Sequence, residues 1–376
     1  MVDLALSDDE KLVQETMARF ARDELRTLAT DADRLEKAPD EILRKGHVDL
    51  ALAAMSIPEA FGGAWDGSPH QVQLAIRLET LGNGCAGLAL AMPGPGLAAP
   101  ALVKGIATDD QAKKILAPFA EDKPVWAALA LVEADAGADF SAFDCVAEKS
   151  GSGWIVRGRK TPVVNAARAQ GYVVVAKAPD GLRVLWVARE QAAVKVKEGK
   201  YVGLRAAGMG DVTFENAVAE LLGADDAKAH EQAAKLLLDY ARLSVAALAA
   251  GVAKAALDTA IEFSKTRVQF GEPIGQKQGI AFLEADMAME AEGARLMVYR
   301  AASLAAAGKN FSASAARAHA YACQAAAHAT LDAVQIHGGY GFIREYPVEK
   351  WMRDAKALCL IAGSPGDSLQ TAGALL

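Results

Sequence analysis

Three long alanine-rich stretches in the last third of the chain, at residues 227–265, 278–307 and 312–337, constrain its fold more than any other feature. Each is long enough to run the length of a helical bundle. Gly308-Lys309-Asn310 supplies turn chemistry between the second and the third. Residues 225–376 are therefore expected to form a C-terminal helical bundle.

The chain has a different character before that point. Residues 6–121 also carry a helical period. Ser7-Asp8-Asp9-Glu10 reads as a capping box, and Leu12, Val13, Met17 and Phe20 follow on one face. Ile57-Pro58-Glu59-Ala60-Phe61-Gly62-Gly63 is loop punctuation, and helices are expected again over 71–81 and 110–119. From 123 to 220 short apolar runs rich in β-branched residues predict strands over 125–132, 154–157, 172–176, 184–188 and 212–214. Gly151, Gly153, Gly158 and Pro179-Asp180-Gly181 are turn residues between them. No helix-length segment separates the strands, so an antiparallel β domain is expected rather than βαβ units. The fold class is thus α+β and multi-domain: a helical N-terminal domain (1–122), an antiparallel β middle domain (123–224) and the bundle (225–376).

Composition sets limits on function. At 376 residues, with 52% apolar and 23% charged residues, the chain is globular and not disordered. Its 40 basic and 47 acidic residues leave a net charge of −7, which argues against a nucleic-acid partner. Cys85, Cys145, Cys323 and Cys359 lie far apart, and only His319 and Cys323 share a helix face, which is too little for zinc. The opening MVDLALSDDEKL lacks the apolar core of a signal peptide. Residues 81–103 are uncharged and long enough to raise a membrane question, but Pro93, Pro95 and Pro100 break them into two buried helix ends around a turn. A cytoplasmic protein with no membrane partner is expected.

No HExxH, Gly-x-Ser-x-Gly or P-loop motif occurs, and Gly203 to Gly210 reads as a β-turn. Two C-terminal segments carry more. In Lys265-Thr266-Arg267-Val268-Gln269-Phe270-Gly271-Glu272-Pro273-Ile274, a guanidinium at a helix end beside a Gly-Pro turn suits a phosphate, and equally suits a plain helix connector. In Gln335-Ile336-His337-Gly338-Gly339-Tyr340-Gly341-Phe342, paired glycines let a backbone approach a dinucleotide closely, or simply cap a helix.

With Glu133-Ala134-Asp135-Ala136-Gly137-Ala138-Asp139 and Glu345-Tyr346-Pro347…Arg353-Asp354 in the same order, these motifs make the chain resemble the acyl-CoA dehydrogenase family from Leu4 to its end. The resemblance implies a fold of helical N-domain, β domain and C-terminal four-helix bundle, with FAD as cofactor and α,β-dehydrogenation of an acyl-CoA thioester, in lipid or steroid catabolism. In that chemistry a carboxylate takes the α proton and the β hydrogen leaves as hydride. It also implies that Arg267 meets the pyrophosphate of a neighbouring subunit's FAD. Phe270 and Gln278 would pack beside the adenosine half, and Gln335, Gly338 and Gly339 would line it. Asp239 and Arg242 match positions near the CoA arm, although at i, i+3 they equally suit a structural ion pair.

Departures from the family are concentrated around the reacting centre. The two positions where members carry the base are Ala362 and Ala241 here. Flavin-facing hydroxyls are replaced by Val132 and Ala138, and the Trp-Ile-Thr-Asn segment reads Pro162-Val163-Val164-Asn165. The expected protein is therefore the base-lacking subunit of a heteromeric acyl-CoA dehydrogenase. Its partners would be a homologous glutamate-bearing subunit in an α2β2 assembly and an electron-transfer flavoprotein or similar acceptor. The alternatives are a self-sufficient homotetramer with Asp367 as a relocated base, and a non-redox scaffold. Glu133 and the Arg353-Asp354 pair are expected to be structural, Met287, Met289 and Met297 to fill the core, and Trp154, Trp186 and Trp351 to be core or interface aromatics.

Overall fold

The computed structural model describes residues 6–151 and 153–376; the reading of MVDLA and the start of the resemblance at Leu4 lie outside the described residues. The helical first part comprises α1 (Asp8–Phe20), α2 (Arg26–Arg34), α3 (Asp40–Arg44), α4 (Gln71–Ala91), α5 (Ala99–Val103) and α6 (Asp109–Leu116). Ser7 caps α1 as its neighbours require: its hydroxyl accepts from Glu10 N at 3.2 Å while the Glu10 carboxylate accepts from Ser7 N at 2.8 Å. Of the α1 face, Met17 and Phe20 are buried, and Leu12 is exposed. Residues 81–103 divide into the end of α4, a short turn over Gly96–Ala98, and α5. α4 is itself broken at Cys85, whose backbone is extended (φ −165°, ψ 109°).

The middle part is a seven-stranded sheet of β1 (Ala127–Ala130), β2 (Val146–Ser150), β3 (Gly153–Val163), β4 (Gly171–Ala178), β5 (Gly181–Ala188), β6 (Val194–Glu198) and β7 (Gly210–Leu221). Most neighbours pair antiparallel, but β1 runs parallel to β4, with Ala127 opposite Gly171 and Ala130 opposite Val174. The sheet is therefore mixed. A parallel pair needs a crossover of a dozen or more residues, usually a helix. Here the β2–β3 hairpin and the turn after it provide that length, so no helix was needed. β2 (VAEKS) and β6 (VKVKE) are absent from the sequence reading because their charged residues interrupt any apolar run.

The last part contains α7 (Ala227–Thr266), a two-stranded ribbon of β8 (Val268–Gln269) and β9 (Glu272–Pro273), α8 (Gln278–Ala306), α9 (Ser312–His337), α10 (Val348–Leu358) and α11 (Pro365–Ala374). α7 starts where Asp226 accepts from Lys228 N and Ala229 N at 2.9 and 3.2 Å. It is long and apolar enough to span a bilayer, yet 94% of its most apolar window is buried in the protein, so it serves as the core helix. α4 crosses it closely because Gly251 has no side chain: a Cβ there would sit 1.9 Å from the Glu79 carbonyl oxygen.

Two packing expectations change. Met287 is buried, but Met289 and Met297 are exposed, since residues two apart on a helix cannot share a face. Arg353 and Asp354 do not pair with each other, because successive helix residues diverge. Arg353 bonds Asp33 at 2.9 Å and Glu349 at 2.8 Å; Asp354 bonds Lys350 and accepts from Leu204 N at 2.6 Å. Both side chains thus anchor α10 to other parts of the chain.

Candidate functional site

Between α4, α5, α7 and the sheet lies a cavity of about 170 Å³. Leu74, Leu78 and Leu81, at i, i+4 and i+7, form one stripe of its helical wall. Leu129, Leu131, Pro162, Val164 and Asn165 form the sheet-side wall. Tyr240, Ala241 and Ser244 of α7 close it, and Ile361 projects from the turn before α11. Ala241 therefore lines the cavity, and Ala362 sits fully buried beside Ile361. No Asp or Glu belongs to the lining among the described residues; its ionisable members are His70, Arg77, Lys104 and Tyr240.

Asp367 is not part of this wall. It completes a capping box at the head of α11: its Oδ2 accepts from Ser364 N at 2.8 Å, and the Ser364 hydroxyl accepts from Asp367 N at 3.0 Å. The carboxylate also fills the space beside Gly137, where a Cβ would come within 2.8 Å of Oδ2. Glu133 is equally committed. It accepts from Lys160 Nζ at 2.6 Å, Asp144 N at 2.7 Å and Cys145 N at 3.2 Å, deep under the sheet. Val132 and Ala138 are buried and offer no hydroxyl, and Asn165 uses its amide to donate to the Leu90 carbonyl at 2.7 Å.

Asp239 and Arg242 form no ion pair within 4.0 Å. Asp239 accepts from the Ser312 hydroxyl at 2.5 Å, and burial pushes its carboxyl up to about 6. Arg242 is buried with Nε and Nη1 unpartnered. Behind it His319 bonds Ser368 Oγ at 2.8 Å, and burial, with the Arg242 charge, lowers it to about 3. The folded state thus keeps His319 neutral, so its stabilisation is complete above pH 6.5 and is lost as pH falls toward 3. Asp239 opposes this between its unfolded value and about 6. In His319→Asn the acid limb of a urea-denaturation series at pH 7, 6 and 5 is expected to be shallower by about 1 kcal/mol per pH unit on average, steepening toward about 1.4 at the acid end. Parallel limbs would count against it.

A second concavity, an open groove of about 460 Å³, lies at the C-terminal end of α7 and is lined by Arg267, Gln269, His337, Gly338, Gly339 and Tyr340. The Arg267 guanidinium sits 5.3 Å over the Tyr340 ring. No carboxylate reaches it within salt-bridge distance among the described residues. Gly338 has φ +57°, and a Cβ on Gly338 or Gly339 would project into open space, so bare backbone faces the groove. Arg267, Gly338 and Gly339 are therefore brought together. Phe270 (93% exposed), Gln278 and Gln335 stand exposed outside the groove lining. An unpaired guanidinium beside approachable backbone fits the pyrophosphate of a dinucleotide.

Sequence reasoning missed the cationic part of the cavity. The available signal was Arg77, a lone charge in the otherwise apolar run Leu74-Ala75-Ile76-Arg77-Leu78 of a helix.

The helical first part, the mixed sheet and the helical bundle thus meet around one cavity, and the bundle carries a separate open groove where Arg267 faces bare backbone. Residues 7–123, 128–217 and 231–366 match the N-terminal, middle and C-terminal domains of acyl-CoA dehydrogenase. An acyl-CoA dehydrogenase of Bacillus subtilis (strain 168) is 32% identical over 96% of this chain and 95% of its own. The caffeyl-CoA reductase-Etf complex subunit CarC of Acetobacterium woodii is 33% identical over 95% of each. The solved butyryl-CoA dehydrogenase of Megasphaera elsdenii superposes with a TM-score of 0.89 at 30% identity, covering 100% of this chain and 99% of that one. The chain belongs to the acyl-CoA dehydrogenase family of FAD-dependent oxidoreductases.

Proposed function

We propose that this chain is the subunit without a base in a heteromeric acyl-CoA dehydrogenase, desaturating the α,β bond of an acyl-CoA thioester only beside a glutamate-bearing homologue. The observation that carries this reading is the cavity itself: Ala241 lines it, Ala362 is buried beside the lining residue Ile361, and no carboxylate belongs to the lining among the described residues. A thioester α C–H is a weak acid, and without a base at hydrogen-bond reach its proton has no acceptor. Bound FAD supplies the hydride acceptor. The chain's own contribution is the Arg267–Gly338–Gly339 groove, which would hold the dinucleotide of the partner's site. Exposed Phe270, Phe282, Met289, Leu331 and Phe342, on α8, α9 and their flanking segments, support a face that a partner covers. A doubled heterodimer about a two-fold axis accommodates that face. An electron-transferring flavoprotein is the kind of acceptor suggested by the relative from a reductase–Etf complex, and a cytoplasmic location belongs to the same proposal.

The homotetramer reading requires Asp367 to leave its capping box, and the scaffold reading leaves Arg267 without a role. The test is co-purification. Alone, the chain is expected to hold little FAD and to leave an acyl-CoA unreacted; with a glutamate-bearing homologue, it is expected to form a yellow, active complex. Stoichiometric FAD and turnover in the lone chain would refute the proposal, and Asp367→Asn would then identify or exclude the relocated base.

A further inference from the structure

The cavity is apolar on its sheet side and cationic on its helical side. Arg77 projects into it from α4 and is 95% buried (5% exposed), with Nε unpartnered and no carboxylate in salt-bridge range among the described residues. Lys104, at the end of α5, lies 4.8 Å over the Trp65 ring and 6.0 Å from the Tyr240 ring, again without a carboxylate. The His70 ring lies tilted against Trp65, centroids 4.2 Å apart, and its Nδ1 is buried without a partner, as is the side-chain oxygen of Gln71. Burial, then the Lys104 and Arg77 charges, lower His70 to about 4, so the imidazole is neutral and the two cations are not relieved by it. The nearest acid named by its charge on His70 is Asp66, which is exposed and bonded to Ser68 N at 2.8 Å.

A buried guanidinium without a counter-ion is costly, and proteins retain such groups where a ligand supplies the missing charge. A cavity meant for a purely hydrocarbon acyl chain gains nothing from Arg77, because an alkyl end would leave the cation desolvated and unpaired. The volume is continuous with the wall that carries Ala241 and Ile361, so a chain whose thioester lies at that wall can extend to the cations. From this placement we infer that the cavity accepts an acyl group ending in a carboxylate, an ω-carboxyacyl-CoA thioester, with Arg77 and Lys104 as its anion-recognising residues. This rests on the acyl-CoA reading above and narrows its substrate class.

The experiment is equilibrium binding to the full chain, alone and in complex with its glutamate-bearing partner. The probes are saturated CoA thioesters of straight-chain dicarboxylic acids and the monocarboxylic thioesters of equal carbon number. At the matching chain length the ω-carboxylate is expected to bind about 10- to 150-fold tighter, the range of one hydrogen bond to a charged group. Arg77→Met and Lys104→Met are expected to erase that preference by weakening the ω-carboxylate series, while the ω-methyl thioester binds the variants at least as tightly as the wild type. Equal affinity of the two series at every length, or a preference that survives both substitutions, overturns the inference and leaves the acyl-CoA reading standing. Failure of both series to bind either preparation overturns both. Acetate at millimolar concentration distinguishes a free anion: if it stabilises the wild type but not Arg77→Met, and the thioesters show no preference, the cations serve a small free anion and the ω-carboxyacyl assignment falls.

Discussion

Replacing Arg267 by alanine is expected to lower the flavin affinity of the assembled enzyme by about 10- to 150-fold, the equivalent of about 1.5–3 kcal/mol for hydrogen bonds to a charged group. The effect should be this large because Arg267 has no competing carboxylate among the described residues and rests 5.3 Å from the Tyr340 ring. An arginine already spent on a salt bridge would lose less when the phosphate is removed. The same substitution should leave the lone chain's denaturation midpoint nearly unchanged, since a surface cation over an aromatic ring contributes little to folding. Flavin retained after gel filtration of the complex, with the midpoint of the isolated chain as control, separates binding from stability. Full flavin retention in Arg267→Ala would show that the groove does not hold the dinucleotide. Loss of flavin from a complex that stays assembled would place this chain's arginine in its partner's site.

The fold was legible because its main signals are one-dimensional. Alanine-rich helical runs of 26 residues or more cannot be hidden by tertiary context, and α9 spans 312–337 as the sequence reading expects. β2 and β6 were illegible because half of each faces solvent and is charged, and the parallel β1–β4 pair because register between distant strands leaves no local trace. At the site, the absences were readable directly: Ala241 and Ala362 cannot accept a proton wherever the chain places them. What lines the cavity was not readable, since Arg77 and Lys104 are 27 residues apart and meet only through the packing of α4 and α5 around Trp65 and His70. Asp367 shows the converse. Its proximity to position 362 suggested chemistry, yet its spacing from Ser364 is that of a capping box, a local signal that outweighs it.

The largest effect on stability is expected at Lys160→Met. Lys160 is wholly buried, bonds Glu133 at 2.6 Å and the Leu131 carbonyl at 3.0 Å, and lies 3.5 Å from the centroid of the Phe143 ring. Burial pulls its ammonium below the ordinary lysine range, opposed by Glu133 and the neighbouring Cys145. Removing the cation strands the Glu133 carboxylate on two backbone N–H groups in a low-dielectric interior, a loss of about 3–5 kcal/mol. The double variant Glu133→Gln, Lys160→Met removes both charges and should recover most of that loss, because a neutral amide can still accept from Asp144 N. Urea denaturation of the two single variants and the double closes the cycle. Single variants within 1 kcal/mol of the wild type would mean that the pair is not buried as a pair. The consequence reaches the site through the backbone: Lys160 is followed by Thr161, whose N–H bonds the Val132 carbonyl at 2.9 Å, and then by Pro162 in the cavity wall. A loosened Lys160 should therefore blunt thioester binding at the sheet-side wall even under conditions where the variant remains folded.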